Sequence, residues 1–361
     1  MTVTEAPRPV AAAPDRLGSR SRRVDVEALR VLAAILIVTI HATSSSISGP
    51  ERTGEFDASY WLALVTNEAS RCAVPVFFAI SGWALLSRSH QADEARWLGG
   101  RLTRLLVPLL VWNLIFIGDA WAVAPANGTR LWTTSGGPGD WLLREATAIL
   151  AGPGTRDHLW FMYYLVALTM VLWLVQVAPR VLVEIRTRWV AGCVAAAVIL
   201  PYGLAPAFHA SVSWDGFGWA LGYAVLGYLV FTAKPPSRSL SLALYLGSVA
   251  ALVVLERLTG YNTWPASYFG PLVLAATIGL IGVLRSISIP GRWQPATLAA
   301  AKLTFGVYLV HPLVLDLFRV TIGKSSAPDL LVLVVSWLGA VVLSFGLAAL
   351  WHRARLGRVL G

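Results

Sequence analysis

Residues 23–42 read RVDVEALRVLAAILIVTIHA, an apolar run of membrane type with Arg30 towards one end and His41 towards the other. An ionisable side chain at bilayer depth costs about 3 kcal/mol or more unless it lines a polar cavity or finds a partner, so such residues mark functional positions. At about 1.5 Å rise per helical residue the two lie roughly 16 Å apart. One helix would then carry a cation near one membrane face and an imidazole in the opposite half. That geometry suits a reaction whose two substrates arrive from opposite sides.

Outward from this run the whole chain has the same character. Aliphatic and aromatic residues make up 56% of the 361 residues and charged residues 13%, against about 25% charged in soluble domains. The composition is that of an all-α polytopic membrane bundle. Segments long enough to cross a bilayer fall at about 26–47, 62–87, 105–124, 158–178, 189–207, 216–233, 239–256, 267–284, 297–318 and 330–351, which predicts ten transmembrane helices. With the N-terminus inside, 19 Lys and Arg fall in the tail and inner loops and 7 in the outer loops. The positive-inside rule then sets N-in and C-in. The net charge of +10 is thereby an orientation signal and gives no support for a nucleic-acid partner.

Residues 1–24 form a basic, Pro- and Ala-rich stretch without apolar periodicity, expected to be a disordered cytosolic tail. A signal peptide is the competing reading, but Asp25, Glu27 and Arg30 are foreign to a secretory apolar region. Residues 25–352 are read as one transmembrane domain and 353–361 as a basic cytosolic tail. The long outer connection 125–157 contains Gly136-Gly137-Pro138-Gly139 and an amphipathic stretch, WLLREATAIL. Cys72 and Cys193 both lie in apolar runs and imply no disulfide framework. Zinc-ligand spacings, phosphate loops, dinucleotide fingerprints and GxSxG elbows are absent, so no metal is expected.

His41 has company. Arg71 enters the second helix, His158 opens the fourth, and His311 lies in the outer half of the ninth. A lone membrane histidine is often a core residue bonded to a neighbouring carbonyl. Four ionisable groups at similar depth on four helices instead imply a shared polar centre, and imidazole is the side chain best matched to general-base work near neutral pH. On the inner side, Arg101 and Arg104 are spaced i, i+3 and share one helix face. Paired guanidiniums can clamp a phosphate through bidentate hydrogen bonds. Arginines at a helix start also serve as orientation signals and headgroup anchors, and Arg30, deeper in the same half, favours the clamp. Ser81-Gly82 reads as a close helix-packing point, and Asp316 with Arg319 as an interfacial pair. Asn127-Gly128-Thr129 matches a glycosylation acceptor, a pattern too short to use.

Five stretches in order carry a resemblance: DVEALRVLAAILIVTIHA at 25–42, SRCAVPVFFAISGWALL at 70–86, Arg101-x-x-Arg104 before LLVPLLVW, HLWFMYYLVAL at 158–168 and FGVYLVHPLV at 305–314. Together they resemble the membrane acyltransferase-3 family, from about residue 23 to 352, in its short form without a hydrolase-like domain. The resemblance implies acyl-CoA, by default acetyl-CoA, as a donor bound from the cytosol. Arg101 and Arg104 would lie near its phosphates and Arg30 further along the acyl path. The family's proposed catalytic base maps onto His41, which would deprotonate an acceptor hydroxyl as it attacks the thioester; an acyl-histidine relay is the second mechanism. Arg71, His158 and His311 are the candidates for substrate or oxyanion contacts.

The implied acceptor is a carbohydrate or glycosylated product outside a bacterial inner membrane, with membrane lipid as the surroundings. The rival from another class is a transporter or flippase for a lipid-linked saccharide. Such proteins often carry broken helices in matching halves, and none is evident between 26–178 and 189–351. The orientation has a direct check. Reporter fusions after Gly152 should sit outside and fusions after Gly361 inside, and an exterior C-terminal reporter would mean an odd number of spans.

Overall fold

The computed structural model describes residues 23–54, 56–88, 93–126, 138–151, 157–177, 217–259, 267–268, 270–323 and 326–361. Among these residues there are α-helices and short 3₁₀ turns and no strand. In chain order the helices are α1 (Val24–Thr53), α2 (Ala58–Ser70), α3 (Ala73–Leu86), α4 (Glu94–Ala126), α5 (Pro138–Ala151), α6 (Trp160–Val177) and α7 (Phe217–Thr232). There follow α8 (Arg238–Thr259), α9 (Pro271–Arg285), α10 (Gln294–Ala301), α11 (Thr304–Thr321), α12 (Asp329–Arg353) and α13 (Gly357–Leu360).

The protein is an all-α multi-pass membrane bundle. Among the described residues seven segments are long and apolar enough to cross a membrane, α2 and α3 counting together, and α7 and α9 are shorter apolar helices. These nine correspond to nine of the ten expected spans. The tenth, 189–207, lies outside the described residues, as do Cys193, Asn127 and residues 1–22. The amphipathic stretch at 141–150 lies within α5, where Trp141 is buried and Leu142 and Leu143 are exposed.

Two spans differ from a single continuous helix. The second divides at Arg71 and Cys72, between α2 and α3. Pro75 has no N–H for the Arg71 carbonyl, so the helical ladder loses a rung at that point. Arg71 N–H turns instead to Glu68 O, three residues back. The expected span 297–318 is likewise two helices, α10 and α11, joined through Lys302 and Leu303 with bonds to Ala299 and Ala300 three residues back.

Helix starts follow ordinary capping chemistry. Asp57 caps α2, its Oδ1 accepting from Tyr60 N–H at 2.9 Å and from the Ser59 hydroxyl at 2.7 Å. Pro271 opens α9, where a missing N–H is harmless.

α1 is the central helix, packed against α2, α3, α9, α10, α11 and α12. Large apolar side chains stay exposed around the circumference, among them Leu114 on α4, Leu174 on α6, Leu258 on α8 and Val342 on α12. Such a surface is stable against lipid, since a helix satisfies nearly all of its peptide groups within its own segment.

The closest crossing joins α3 to α7. A Cβ added at Gly82 would overlap the backbone of Ala224, and one added at Gly227 would overlap the backbone of Ala79. Lipid tails are as apolar as the helices, so association depends on close packing, and small residues permit it. Gly82 is thus the packing point expected from Ser81-Gly82. Replacing Gly227 by Ala should force the helices apart at a cost of about 1–3 kcal/mol, seen as a lower melting temperature of the detergent-solubilised protein. An unchanged melting temperature would show that the pair can separate freely.

Candidate active site

Three of the sequence-derived candidates meet in the bundle. His41 comes from α1, His158 from the 3₁₀ turn Asp157–Leu159 that leads into α6, and His311 from α11. Their ring centroids are 5.0 Å apart for His41 and His311, 5.5 Å for His158 and His311, and 6.5 Å for His41 and His158. His158 is 6% exposed and His311 fully buried, while His41 is half-buried. Residues far apart in sequence thus supply one imidazole centre.

Tyr308 positions two of these rings. Its hydroxyl donates to the His158 carbonyl oxygen, and its own carbonyl lies 2.7 Å from His311 Nδ1. Phe116 of α4 packs edge-on against His158 at 5.0 Å, and the Tyr308 ring lies 5.6 Å from it. Aromatic walls on two sides limit how far the His158 imidazole can swing.

The stretch of α1 that bears His41 is gripped from both sides. Asn67 on α2, fully buried, donates to Ile40 O at 3.1 Å and to Thr43 Oγ1 at 2.9 Å. Trp337 on α12 donates its indole N–H to Thr39 Oγ1 at 2.9 Å. Hydroxyls of Thr39, Thr43 and Ser44 return to carbonyls three or four residues back along α1. Buried hydrogen bonds of this kind are costly to leave unmade, so they fix the helix rotation.

Arg71 has a different setting from the one its spacing suggested. It lies at the break between α2 and α3, in the middle of that span, with Nε 3.0 Å from Glu68 and Nη2 3.7 Å from Glu256 of α8. Both carboxylates are 1% exposed. The guanidinium therefore ties α2 to α8 between two acids. Neither Glu68 nor Glu256 was singled out from sequence. Glu68 was detectable as the i, i+3 partner of Arg71, and Glu256 as an acid inside the apolar run LVVLERL.

At the N-terminal ends of α1 and α4 a second group forms. Arg101 lies within the electrostatic reach of Arg104, Arg30 and Arg88. Two of these cations are compensated. Arg30 pairs with Glu27 at 3.0 Å, and Arg88 pairs with Glu94 at 2.6 Å while lying 3.9 Å over the Trp97 ring. Arg104 Nε donates to Gly100 O at 2.9 Å. Among the described residues Arg101 and Arg104 have no carboxylate partner, and Arg101 Nε has no hydrogen-bond partner. Like charges gathered without counter-charge favour an anion. Asp316 and Arg319 form the expected pair, at 2.9 Å. No group of three metal-ligating side chains suited to a metal ion occurs among the described residues.

Apolar helices that enclose an imidazole centre at one depth and a cluster of guanidiniums at another define a multi-pass membrane protein with an internal polar site. The family model described as an acyltransferase domain, acyltransferase 3, matches residues 23–352, and the chain belongs to that family. It is accordingly a membrane acyltransferase; the transporter reading gains no support. No curated protein and no solved structure matches the chain.

The ionic unit around Arg71 yields a stability prediction. Removing one partner of a buried ion pair costs about 3–5 kcal/mol, because the remaining charge is stranded. Arg71→Leu should sharply reduce the folded fraction recovered from membranes, and adding Glu68→Gln should restore part of it. Equal recovery of Arg71→Leu and wild type would mean that the two carboxylates need no cation.

Proposed function

We propose that the protein transfers an acyl group, acetyl by default, from acyl-CoA to a hydroxyl of an extracytoplasmic carbohydrate or glycosylated product, across a bacterial inner membrane. The observation that carries this reading is the convergence of His41, His158 and His311 from three separate elements, with centroids 5.0–6.5 Å apart. One buried imidazole has many structural uses, but three gathered in a bundle of this family suit proton transfer.

The guanidinium group supports the donor side. Arg101 and Arg104 would hold the phosphates of acyl-CoA, whose bidentate acceptors match the guanidinium fork. Arg30, bonded to Glu27, stands on the same helix as His41 and roughly 16 Å before it, along the direction the acyl arm would follow. With the termini cytosolic, as the distribution of Lys and Arg favours, the donor enters from the cytosol and the imidazoles face the acceptor. His41 is the general base: it takes the hydroxyl proton as oxygen attacks the thioester carbonyl. His158, braced by Phe116 and Tyr308, is the candidate for orienting the acceptor or steadying the oxyanion.

A general base contributes about 10²–10⁴-fold in rate, so His41→Ala and His41→Gln should both abolish measurable transfer while donor binding persists. Arg101→Ala or Arg104→Ala should weaken acyl-CoA binding about tenfold or more, from the loss of charge-assisted hydrogen bonds of roughly 1.5–3 kcal/mol each. Lysine at either position should rescue poorly. Purified protein assayed with radiolabelled acetyl-CoA decides the matter. Near wild-type turnover in His41→Ala would defeat the assignment of the base, and unchanged donor affinity in the arginine variants would reduce them to orientation signals.

A further inference from the structure

Position 312 is a proline inside α11. A helical carbonyl normally pairs with the N–H four residues on, and at 312 that N–H does not exist, so the Tyr308 carbonyl loses its helical donor. His311 Nδ1 lies 2.7 Å from that oxygen and takes the missing place. A carbonyl oxygen can only accept, so Nδ1 carries the proton and donates it. His311 is fully buried, and its Nε2 has no hydrogen-bond partner among the described residues. A second proton on Nε2 would create a buried, unpaired cation, which costs far more than a bare lone pair. With Nδ1 turned back to its own helix, Nε2 lies on the side of the ring away from that backbone. The ring's neighbours in the centre are His41 at 5.0 Å and His158 at 5.5 Å.

We propose that His311 is the hydrogen-bond acceptor behind His41, a positioning residue that acts through it. Its part is the one a carboxylate plays behind the histidine of a Ser-His-Asp triad, and the proposal rests on the reading of His41 as general base. As the acceptor oxygen bonds to the thioester carbonyl carbon, its proton passes to the His41 nitrogen that faces it. The proton on the other His41 nitrogen stays there and donates a hydrogen bond to His311 Nε2 as the His41 imidazolium forms. When the carbon–sulfur bond breaks, His41 delivers the hydroxyl's proton to sulfur. An O-acyl product and a thiol result, and both rings end as they began. Donation to an oxyanion is the other role open to a buried imidazole, and it would need the proton on Nε2.

The two roles call for opposite substitutes. His311→Glu retains an acceptor whose charge favours a cationic His41, whereas His311→Gln offers a neutral amide, a weaker acceptor that is also a donor. In transfer assays on monodisperse protein, the Glu variant should keep at least about tenfold more activity than the Gln variant. An active wild type with the Gln variant ahead would overturn this proposal alone. A wild type that neither transfers nor hydrolyses the acyl group would overturn the functional reading together with it. Should neither variant insert, the wild-type protein still answers. With ¹⁵N histidine and ¹³C-carbonyl tyrosine, the ring coupled to the Tyr308 carbonyl should show a protonated Nδ1 and a bare Nε2. A protonated Nε2 beside a bare Nδ1 would refute the assignment.

Discussion

Tyr308 holds the site together by using both ends of the residue. Its hydroxyl donates to the carbonyl of His158, 150 positions earlier in the chain, and its backbone carbonyl accepts from His311 in the next helical turn. The turn before α6 and the middle of α11 are thereby fixed to one another. Because α11 also packs on α1, the third imidazole, His41, is brought to the same place. Buried hydrogen bonds among helices are short-range and directional, so displacing Tyr308 disturbs the approach of all three rings.

Two prolines interrupt the helical ladder beside buried ionisable groups. Pro75 frees the Arg71 carbonyl at the break between α2 and α3, and Pro312 frees the Tyr308 carbonyl beside His311. In a bilayer a freed carbonyl must find another donor, from a side chain or a neighbouring helix. At 308 the donor is a histidine. At 71 the break sets a guanidinium between Glu68 and Glu256, ionic groups that a lipid-facing helix could not carry. Both of these lost rungs thus occur next to ionisable side chains buried inside the bundle.

Much of the site was legible in the chain. His41, His158 and His311 were expected at similar depth, and the structure brings their rings within 6.5 Å or less of one another. Arg30, Arg101 and Arg104 were expected on one side, and they share an electrostatic neighbourhood with Arg88. Arg71 was grouped with the imidazoles because depth along a helix can be counted. Its partners could not be, since the rotation of α2 and the proximity of α8 set them. Asn67, with its hold on Ile40 and Thr43, was invisible for the same reason.

Local sequence sets the membrane class, the spans present among the described residues and the ionisable residues within them. These follow from local properties: a run of about twenty apolar residues inserts wherever it occurs, and a buried charge is conspicuous because it is costly. Tertiary structure decided which of those residues face one another. Gly82 and Gly227, remote in sequence, let α3 and α7 touch backbone to backbone, and Glu256 reaches Arg71 only because α8 lies against α2. Apolar periodicity tells a helix which face to bury, but on helices apolar all round it cannot choose the neighbour. Close packing and paired polar groups make that choice.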